Sequence, residues 1–158
     1  MSIWTLNKKL AQKDDIETLL DIKAESFNKD FHKNTSLGGD RDYLLRSIEN
    51  DKSTVYLYLL GNQTIGYSVT EMNSSSAEID IIGVRERYQG KGYGSRILKE
   101  CLKDLGDCEK VKIVVDPKNT QAIFTYLKNG FVIKGYVAEY YGINQDRVIM
   151  FRQLSSGD

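Results

Sequence analysis

The sequence predicts a single α/β (α+β) domain over residues 1–158, with a mixed β-sheet covered by helices. Two observations support this fold class. A chain of 158 residues with 41% hydrophobic residues suits one globular core, and no linker-like segment divides it. Strand-like and helix-like patterns also follow one another in the order β-α-α-β-β-β-α-β-α-β-β. Elements in this order can form one sheet with helices packed on its faces.

The N-terminal third predicts one strand and two helices. We expect the strand at residues 3–10. A helix begins near Asp14, because acidic residues open it and apolar residues then recur at helical spacing. Residues 28–40 are polar and predict a loop. At the end of this loop Asp40 can cap a second helix, whose apolar residues include Tyr43.

The middle of the chain predicts a hairpin and a further strand. β-branched and aromatic residues are dense in residues 54–60 and 64–70, and residues 61–63 supply the turn between them. Residues 73–76 form a short polar connection. The next strand occupies residues 77–84.

The C-terminal half alternates helices and strands. Apolar residues at helical spacing predict a helix after Gly94. Residues 110–115 have the β-branched density of a buried strand. A helix at residues 119–129 follows, and residues 132–140 and 147–153 form a final hairpin.

Charge, length and cysteine content disfavour several function classes. The chain has 22 basic and 22 acidic residues, so its totals predict neither nucleic-acid binding nor attraction to an anionic membrane. No apolar run reaches the ~18 residues of a membrane span, and the first residues lack a signal-peptide core, so we expect a cytoplasmic protein. Cys101 and Cys108 fit neither a disulfide framework nor a metal site. His32, the single histidine, lies in a polar stretch, which disfavours a histidine-dependent hydrolase.

Residues 89–94 combine three alternating glycines with a position between a strand and a helix. Glycines let the backbone approach a ligand closely, and N–H groups at a helix N-terminus favour negative charge. Arg85, Arg87 and Lys91 add positive charge nearby. The alternative is an ordinary glycine-rich turn. The spacing does not match a Walker loop or a dinucleotide fingerprint, so we predict a pyrophosphate site of another kind.

Two segments resemble motifs of one enzyme family, the GNAT N-acetyltransferases. Residues 89–94, QGKGYG, resemble motif A, in which a Gln/Arg-x-x-Gly-x-Gly/Ala loop binds the pyrophosphate of acetyl-CoA. Residues 119–131 resemble motif B, with the pattern Asn-x-x-Ala-x-x-x-Tyr-x-x-x-Gly-Phe. The resemblance is close over residues 75–135. It implies the GNAT fold, a mostly antiparallel sheet that splays at the cofactor site, with acetyl-CoA as the cofactor.

The resemblance also implies which residues bind the cofactor. They comprise Ile82, Val84, Gln89, Gly90, Lys91, Gly92, Tyr93, Gly94, Ser95, Asn119 and Tyr126. In the family, backbone groups of the strand near Ile82 and Val84 hold the pantetheine arm, and Asn119 would contact the same arm.

Acetyl transfer to an amine requires a neutral amine and a proton for the departing thiolate. Tyr126 occupies the motif B position that commonly supplies this proton, although a tyrosine there could also serve only in packing. Glu78 and Asp80 should lie on one face of their strand and are candidates for the general base. The family resemblance favours Glu78. Alternatively, both carboxylates only bind substrate or form ion pairs. Val114 stands where related enzymes often have Glu or His.

The C-terminal residues 139–150 are similar to the Tyr-Tyr…Asp-x-x-x-Met signature of protein Nα-acetyltransferases. The resemblance implies that Tyr140 and Tyr141 line a peptide groove, although paired tyrosines often only pack together. An alanine usually follows the aspartate of this signature, and here Arg147 does. We therefore predict an acetyl-CoA-dependent N-acetyltransferase that acts on protein N-terminal α-amines by direct transfer in a ternary complex.

Three alternatives remain open at this point. The acceptor could be a polyamine or another small amine, for which Glu25, Asp30, Glu78 and Asp80 offer carboxylates. It could also be a lysine side chain. A third alternative is a non-catalytic acyl-CoA-binding module. The sequence leaves open whether the protein is a monomer or a homodimer.

Overall fold

A computed structural model of the protein describes residues 5–26 and 39–154. Its sheet has seven strands: β1 (Leu6–Leu10), β2 (Ser53–Leu60), β3 (Gln63–Asn73), β4 (Ser76–Val84), β5 (Lys110–Val115), β6 (Val132–Val137) and β7 (Arg147–Gln153). Its helices are α1 (Ile16–Ser26), α2 (Gly39–Glu49), α3 (Tyr93–Asp104) and α4 (Thr120–Lys128). The order of elements is the predicted one, and the mixed α/β fold class is confirmed.

The strands lie in the order β1-β2-β3-β4-β5-β7-β6. All neighbouring strands are antiparallel except β4 and β5, which are parallel. A parallel pair requires a crossover connection, and α3 supplies it. The end of β4, the start of α3 and the end of β5 therefore lie close together, at the same end of the parallel pair.

Helices cover both faces of the sheet, and each face has its own core. On one face α1 and α2 bury Leu19, Ile22 and Leu44 completely. On the other face α3 buries Ile97 and Leu98 against the inner strands, and α4 adds partly buried residues. Burial of such side chains stabilises the fold by about 1.5–3 kcal/mol each. This packing fixes the helices that flank the crossover.

The β4–β5 pair opens partway along its length. Pairing ends at Ile79 opposite Ile113, although both strands continue beyond it. The register between β3 and β4 also shifts at this point, so that Asp80 is the extra residue of a β-bulge. A bulge bends its strand and increases the local twist. The bulge and the loss of pairing together create the predicted splay in the sheet.

Several predicted boundaries change. The first strand begins at Leu6 among the described residues, and residues 73–76 form a tight turn in which β3 and β4 pair directly. Asp40 lies inside the first turn of α2, where its carboxylate pairs with Lys23, and it is not the cap. The last hairpin has a longer loop than predicted, because β6 ends at Val137. His32 and Asp30 lie outside the described residues.

Among the helices that the structure describes, none has the length and apolar character of a membrane span. Within residues 5–26 and 39–154, no group of three or more His, Cys, Asp or Glu side chains could hold a metal ion.

Candidate functional site

The glycine loop at residues 89–94 enters α3 with an exposed backbone. Gly90 and Gly92 have φ angles of 73° and 89°, a left-handed conformation that favours glycine. Gly92 immediately precedes the first helical residue, so the loop amides lie at the N-terminus of α3. A Cβ atom added at Gly90, Gly92 or Gly94 would have no neighbour within 4 Å. The loop therefore borders open space at a position suited to an anion.

Polar side chains tie this loop to the end of β4. The Gln89 side-chain amide donates a hydrogen bond to the Val84 carbonyl at 2.8 Å. The Lys91 ammonium donates to the Arg87 carbonyl at 2.9 Å. Arg85 donates to the Thr64 carbonyl at 2.7 Å and pairs with Glu25 at 2.5 Å. Arg85 and Lys91 thus make hydrogen bonds within the protein in addition to carrying positive charge.

A cleft opens between the end of β4, the N-terminus of α3 and one side of α4. Its lining comprises Ile82, Val84, Gln89, Gly90, Gly92, Gly94, Ser95, Asn119, Gln121, Ala122, Thr125 and Tyr126. This set contains all the residues predicted to bind the cofactor except Lys91 and Tyr93. Tyr93 packs its ring edge-on against Tyr88 at 5.9 Å. Gln121, Ala122 and Thr125 lie between the predicted members Asn119 and Tyr126 but were not themselves predicted.

Asn119 is the N-cap of α4 at the edge of this cleft. Its side-chain oxygen accepts the Ala122 N–H at 3.2 Å and so caps α4. Such caps contribute about 1 kcal/mol. The cap fixes the direction in which α4 leaves the cleft wall.

Tyr126 lies on α4, and its ring packs against Phe131 with centroids 5.9 Å apart. Burial raises the pKa of Tyr126 to about 12, and the nearby Cys101 contributes to the rise. The phenol is therefore protonated at neutral pH and can act as a proton donor in the cleft.

The two candidate carboxylates differ in their surroundings. Asp80 lies in the bulge and accepts a hydrogen bond from the Tyr43 hydroxyl at 3.0 Å. Burial and then the charge of Glu78 raise the pKa of Asp80 to about 7. Burial also raises the pKa of Glu78, but Lys112 opposes this rise. Asp80 is thus the carboxylate that titrates near neutral pH.

The bulge interrupts the alternation that was predicted for this strand. Ile79 packs against the core under α3, and strict alternation would send Ile82 to the opposite face. Ile82 instead packs against the same core as Ile79, while Ile81 packs toward α1 and α2. The extra residue therefore returns the end of β4 to the cleft, while the Asp80 carboxylate contacts α2 through Tyr43.

The loop between β6 and β7 brings two tyrosines toward these carboxylates. Tyr140 and Tyr141 contact each other edge-to-face, with ring centroids 4.7 Å apart. Burial raises the pKa of Tyr141 to about 12, and Tyr140, Glu78 and Asp80 each add to the rise. Tyr141 therefore lies within the electrostatic reach of both carboxylates.

Tyr43 and Arg147 were also not predicted to belong to the site. Tyr43 fits the apolar face of its helix, and nothing in the local sequence signals its bond to Asp80, 37 residues away. Arg147 stands where the family signature has an alanine, and this difference was the sequence signal that could have identified it. Val114 pairs with Ile149 inside the sheet and offers no base.

The residues present fit the pyrophosphate and pantetheine arm of coenzyme A. The glycine loop offers backbone donors around a space that a Cβ would enter, which suits a pyrophosphate. Beyond Ile79, the β4 edge that faces β5 has no strand partner, and its backbone groups can bond an extended arm. The apolar side chains of Ile82, Val84 and Ala122 line the same cleft.

Comparisons with known proteins agree with this geometry. A sequence model of the Acetyltransferase (GNAT) family matches residues 16–131. Mycothiol acetyltransferase of Corynebacterium efficiens is 30% identical over 113 residues, which cover 67% of this chain and 38% of that protein. Spermine/spermidine N(1)-acetyltransferase of Bacillus subtilis is 33% identical over 60 residues, 36% of this chain and 40% of that protein. The chain thus spans about two-fifths of the length of these curated relatives.

A solved structure gives the fold match along the whole chain. The ribosomal-protein-S18-alanine N-acetyltransferase from Escherichia coli superposes with a TM-score of 0.81 at 16% sequence identity, covering 98% of this chain and 97% of that one. The family model covers most of the chain, including the glycine loop, both splayed strands and Tyr126. With its cleft and its fold in agreement, the chain belongs to the GNAT family of acetyltransferases.

Proposed function

We propose that the protein is an acetyl-CoA-dependent N-acetyltransferase whose acceptor is a protein N-terminal α-amine. The observation that supports this most is the glycine loop at the N-terminus of α3, beside the point where β4 and β5 separate. This arrangement offers an anion site and a free strand edge in one cleft.

The donor side of the cleft consists of residues 82–95 and 119–126. In our proposal, amides of the glycine loop bind the pyrophosphate, and the free edge of β4 near Ile82 and Val84 holds the pantetheine arm. Gln89, Lys91, Tyr93 and Ser95 shape or flank the loop. Acetyl-CoA supplies the acetyl thioester when it is bound here.

Tyr126 is the proposed general acid. It lines the cleft from α4, and its raised pKa keeps the phenol protonated at neutral pH. A protonated phenol can give its proton to the sulfur of the departing thiolate. The packed Phe131 ring restricts the position of the Tyr126 ring.

Asp80 is the proposed general base, in preference to Glu78. A carboxyl with a pKa of about 7 is close to the pH at which it must accept a proton from the acceptor amine. Deprotonating an α-amine of pKa near 7.7–8 at neutral pH costs about 1 kcal/mol, whereas a lysine amine costs about 4–5 kcal/mol. A base of this strength therefore suits an α-amine better than a lysine.

In our proposal, the acceptor side consists of Tyr43, Glu78, Asp80, Tyr140 and Tyr141, which lie outside the lining of the donor cleft. The tyrosines of the β6–β7 loop retain partly exposed rings beside the carboxylates, which suits contact with the first residues of a peptide. The resemblance of residues 139–150 to protein Nα-acetyltransferases supports the same acceptor.

A second candidate acceptor is a polyamine. Glu71 pairs across the strands with Glu78, and both affect the pKa of Asp80, so three carboxylates lie within electrostatic reach of one another. Such a cluster would attract a cationic amine, and the Bacillus subtilis relative is named for spermine and spermidine.

The test is an acetyl-transfer screen that compares peptides with free N-termini, lysine peptides blocked at the N-terminus, and spermine or spermidine. The proposal expects acetylated free N-termini, identified by mass spectrometry, and a large loss of product with Tyr126→Phe. If polyamines were acetylated faster than every peptide, the proposed acceptor would change from an N-terminal α-amine to a polyamine. Tight acetyl-CoA binding with no product from any amine would favour a non-catalytic binding module.

A further inference from the structure

Arg147 is a buried cation at the start of β7, with only 7% of its surface exposed. Its guanidinium makes three contacts. It lies 3.5 Å from the Asp116 carboxylate, donates to the Asp146 carbonyl at 2.7 Å, and lies 5.0 Å from the centre of the Tyr141 ring. These contacts point in different directions, toward the end of β5 and toward the β6–β7 loop.

Asp116 shapes the turn that leads into α4. One of its carboxylate oxygens accepts the Lys118 N–H at 2.8 Å, and its carbonyl accepts the Asn119 N–H at 2.9 Å. Asn119 then caps α4, the helix on which Tyr126 lies. The contact of Arg147 with Asp116 therefore reaches the wall of the cleft that supplies the proposed acid.

The β6–β7 loop is closed by Asp146, the neighbour of Arg147. Its carboxylate accepts the Glu139 N–H at 2.8 Å and the Tyr136 hydroxyl at 2.5 Å. These bonds fix both ends of the loop, but neither involves the tyrosine pair within it. Arg147 contacts that pair directly through the Tyr141 ring.

We infer that Arg147 is a positioning residue, which holds Tyr141 and the Asp116 turn in one arrangement so that the acceptor faces the proposed acid. This inference rests on the proposed function and deepens it, because it makes acceptor affinity depend on a residue outside the acceptor side. Arginine suits the position, since its planar guanidinium can stack on a ring and bond a carboxylate at the same time. A lysine ammonium keeps the charge but cannot make both contacts with the same geometry.

The test compares Arg147→Lys with Arg152→Lys, a matched change of the other arginine on β7. For each variant the KM for an N-terminal peptide, the kcat and the dissociation constant for CoA are measured, with thermal unfolding as a check on folding. We expect Arg147→Lys to raise the peptide KM about tenfold, because the lysine loses the contact with the Tyr141 ring and the geometry of the ion pair with Asp116. The CoA dissociation constant should change less than about twofold, since the contacts of Arg147 are with Asp116, Asp146 and Tyr141 and not with the glycine loop. Arg152→Lys should leave all three quantities near the wild-type values.

A double-mutant cycle separates positioning from general support of the fold. In a Tyr141→Ala background, Arg147→Lys should have less than a third of its effect on the peptide KM, because the ring that it holds is gone. Equal effects in both backgrounds, or an unchanged peptide KM in the single variant, would overturn the inference and leave the proposed function intact. A wild-type protein that acetylates no amine would overturn both. An effect on CoA affinity as large as that on peptide KM would also overturn it.

Discussion

The proposed donor side comes from two short stretches of chain, whereas the proposed acceptor side joins side chains from α2, β4 and the β6–β7 loop. In our proposal the donor side works mainly through the backbone, with glycine amides and an unpaired strand edge. The acceptor side depends on contacts between distant residues, such as Tyr43 with Asp80. A backbone site needs a particular chain geometry and tolerates many side chains. A side-chain site can change its ligand when a few residues change.

This difference explains how relatives with a common donor can use different acceptors. The family model covers the whole donor side of this chain, and the matched relatives are named for different acceptors. We therefore expect substitutions on the two sides to separate binding of CoA from use of the acceptor.

Tyr126→Phe should reduce kcat by about 10²–10⁴-fold, the usual contribution of a general acid or base. The dissociation constant for CoA, measured by calorimetry, should stay close to that of the wild type, because the ring remains. Tyr93→Phe is the control, since Tyr93 is a tyrosine near the loop that does not line the cleft. A kcat for Tyr126→Phe within threefold of that of Tyr93→Phe would remove Tyr126 from the proposed chemistry.

Asp80→Asn should lower kcat/KM for the acceptor about 100-fold at pH 8. In the wild type, kcat/KM should rise with pH through a midpoint near 7, because Asp80 must lose its proton before it can accept another. The matched variant Glu78→Gln should keep most of the activity, with a rising profile whose midpoint moves to lower pH because the charge of Glu78 no longer raises the pKa of Asp80. If Glu78→Gln lost the activity and Asp80→Asn kept it, the base would be Glu78.

Gly94→Ala should weaken CoA binding about tenfold, because the new Cβ would enter the space beside the loop amides. The protein should not lose stability, since alanine is favoured over glycine in a helix by about 0.8–1.0 kcal/mol. Gly135→Ala on β6 is the control, because its Cβ also meets nothing within 4 Å. Calorimetry measures the affinity for CoA, and thermal unfolding measures the stability of each variant. Unchanged affinity in Gly94→Ala would contradict the position given to the pyrophosphate.

The smallest expected effect concerns stability and pH. The folded pKa of Asp80, about 7, lies above its ordinary value of 3.8, so the folded state binds more protons between these two values. The free energy of unfolding should therefore fall as pH rises from about 4 to about 7 through this group. Asp80→Asn should flatten this part of the profile and make the protein relatively more stable at pH 8. Denaturant unfolding at several pH values measures the difference, and parallel profiles for the two proteins would argue against a buried, neutral Asp80.

The donor side could be predicted from the sequence because its parts are contiguous. Alternating glycines between a strand and a helix specify the loop at residues 89–94, and the second motif supplies Asn119 and Tyr126. The splay could be named from the family, but its cause could not be predicted. The bulge at Asp80 arises from the register between β3 and β4, and a pattern of period two contains no sign of an extra residue.

The acceptor side could be predicted only in part. Its carboxylates and its tyrosine pair were candidates, but the preference for Asp80 over Glu78 depends on burial and on Tyr43. The predicted cap of α2 was wrong. Asp40 lies inside the first turn of this helix, where its carboxylate pairs with Lys23 of α1. Each of these features is a contact between residues far apart in the chain, which local patterns do not specify.

Hydrogen exchange of the wild-type protein with and without CoA tests the division into two sides most directly. The account predicts slower amide exchange in peptides that cover residues 81–95 when CoA is added, with little change in residues 138–146. A peptide with a free N-terminus, added to the CoA complex, should then slow exchange in residues 138–146. Unchanged exchange in residues 81–95 at saturating CoA, or protection by CoA only in residues 138–146, would contradict it.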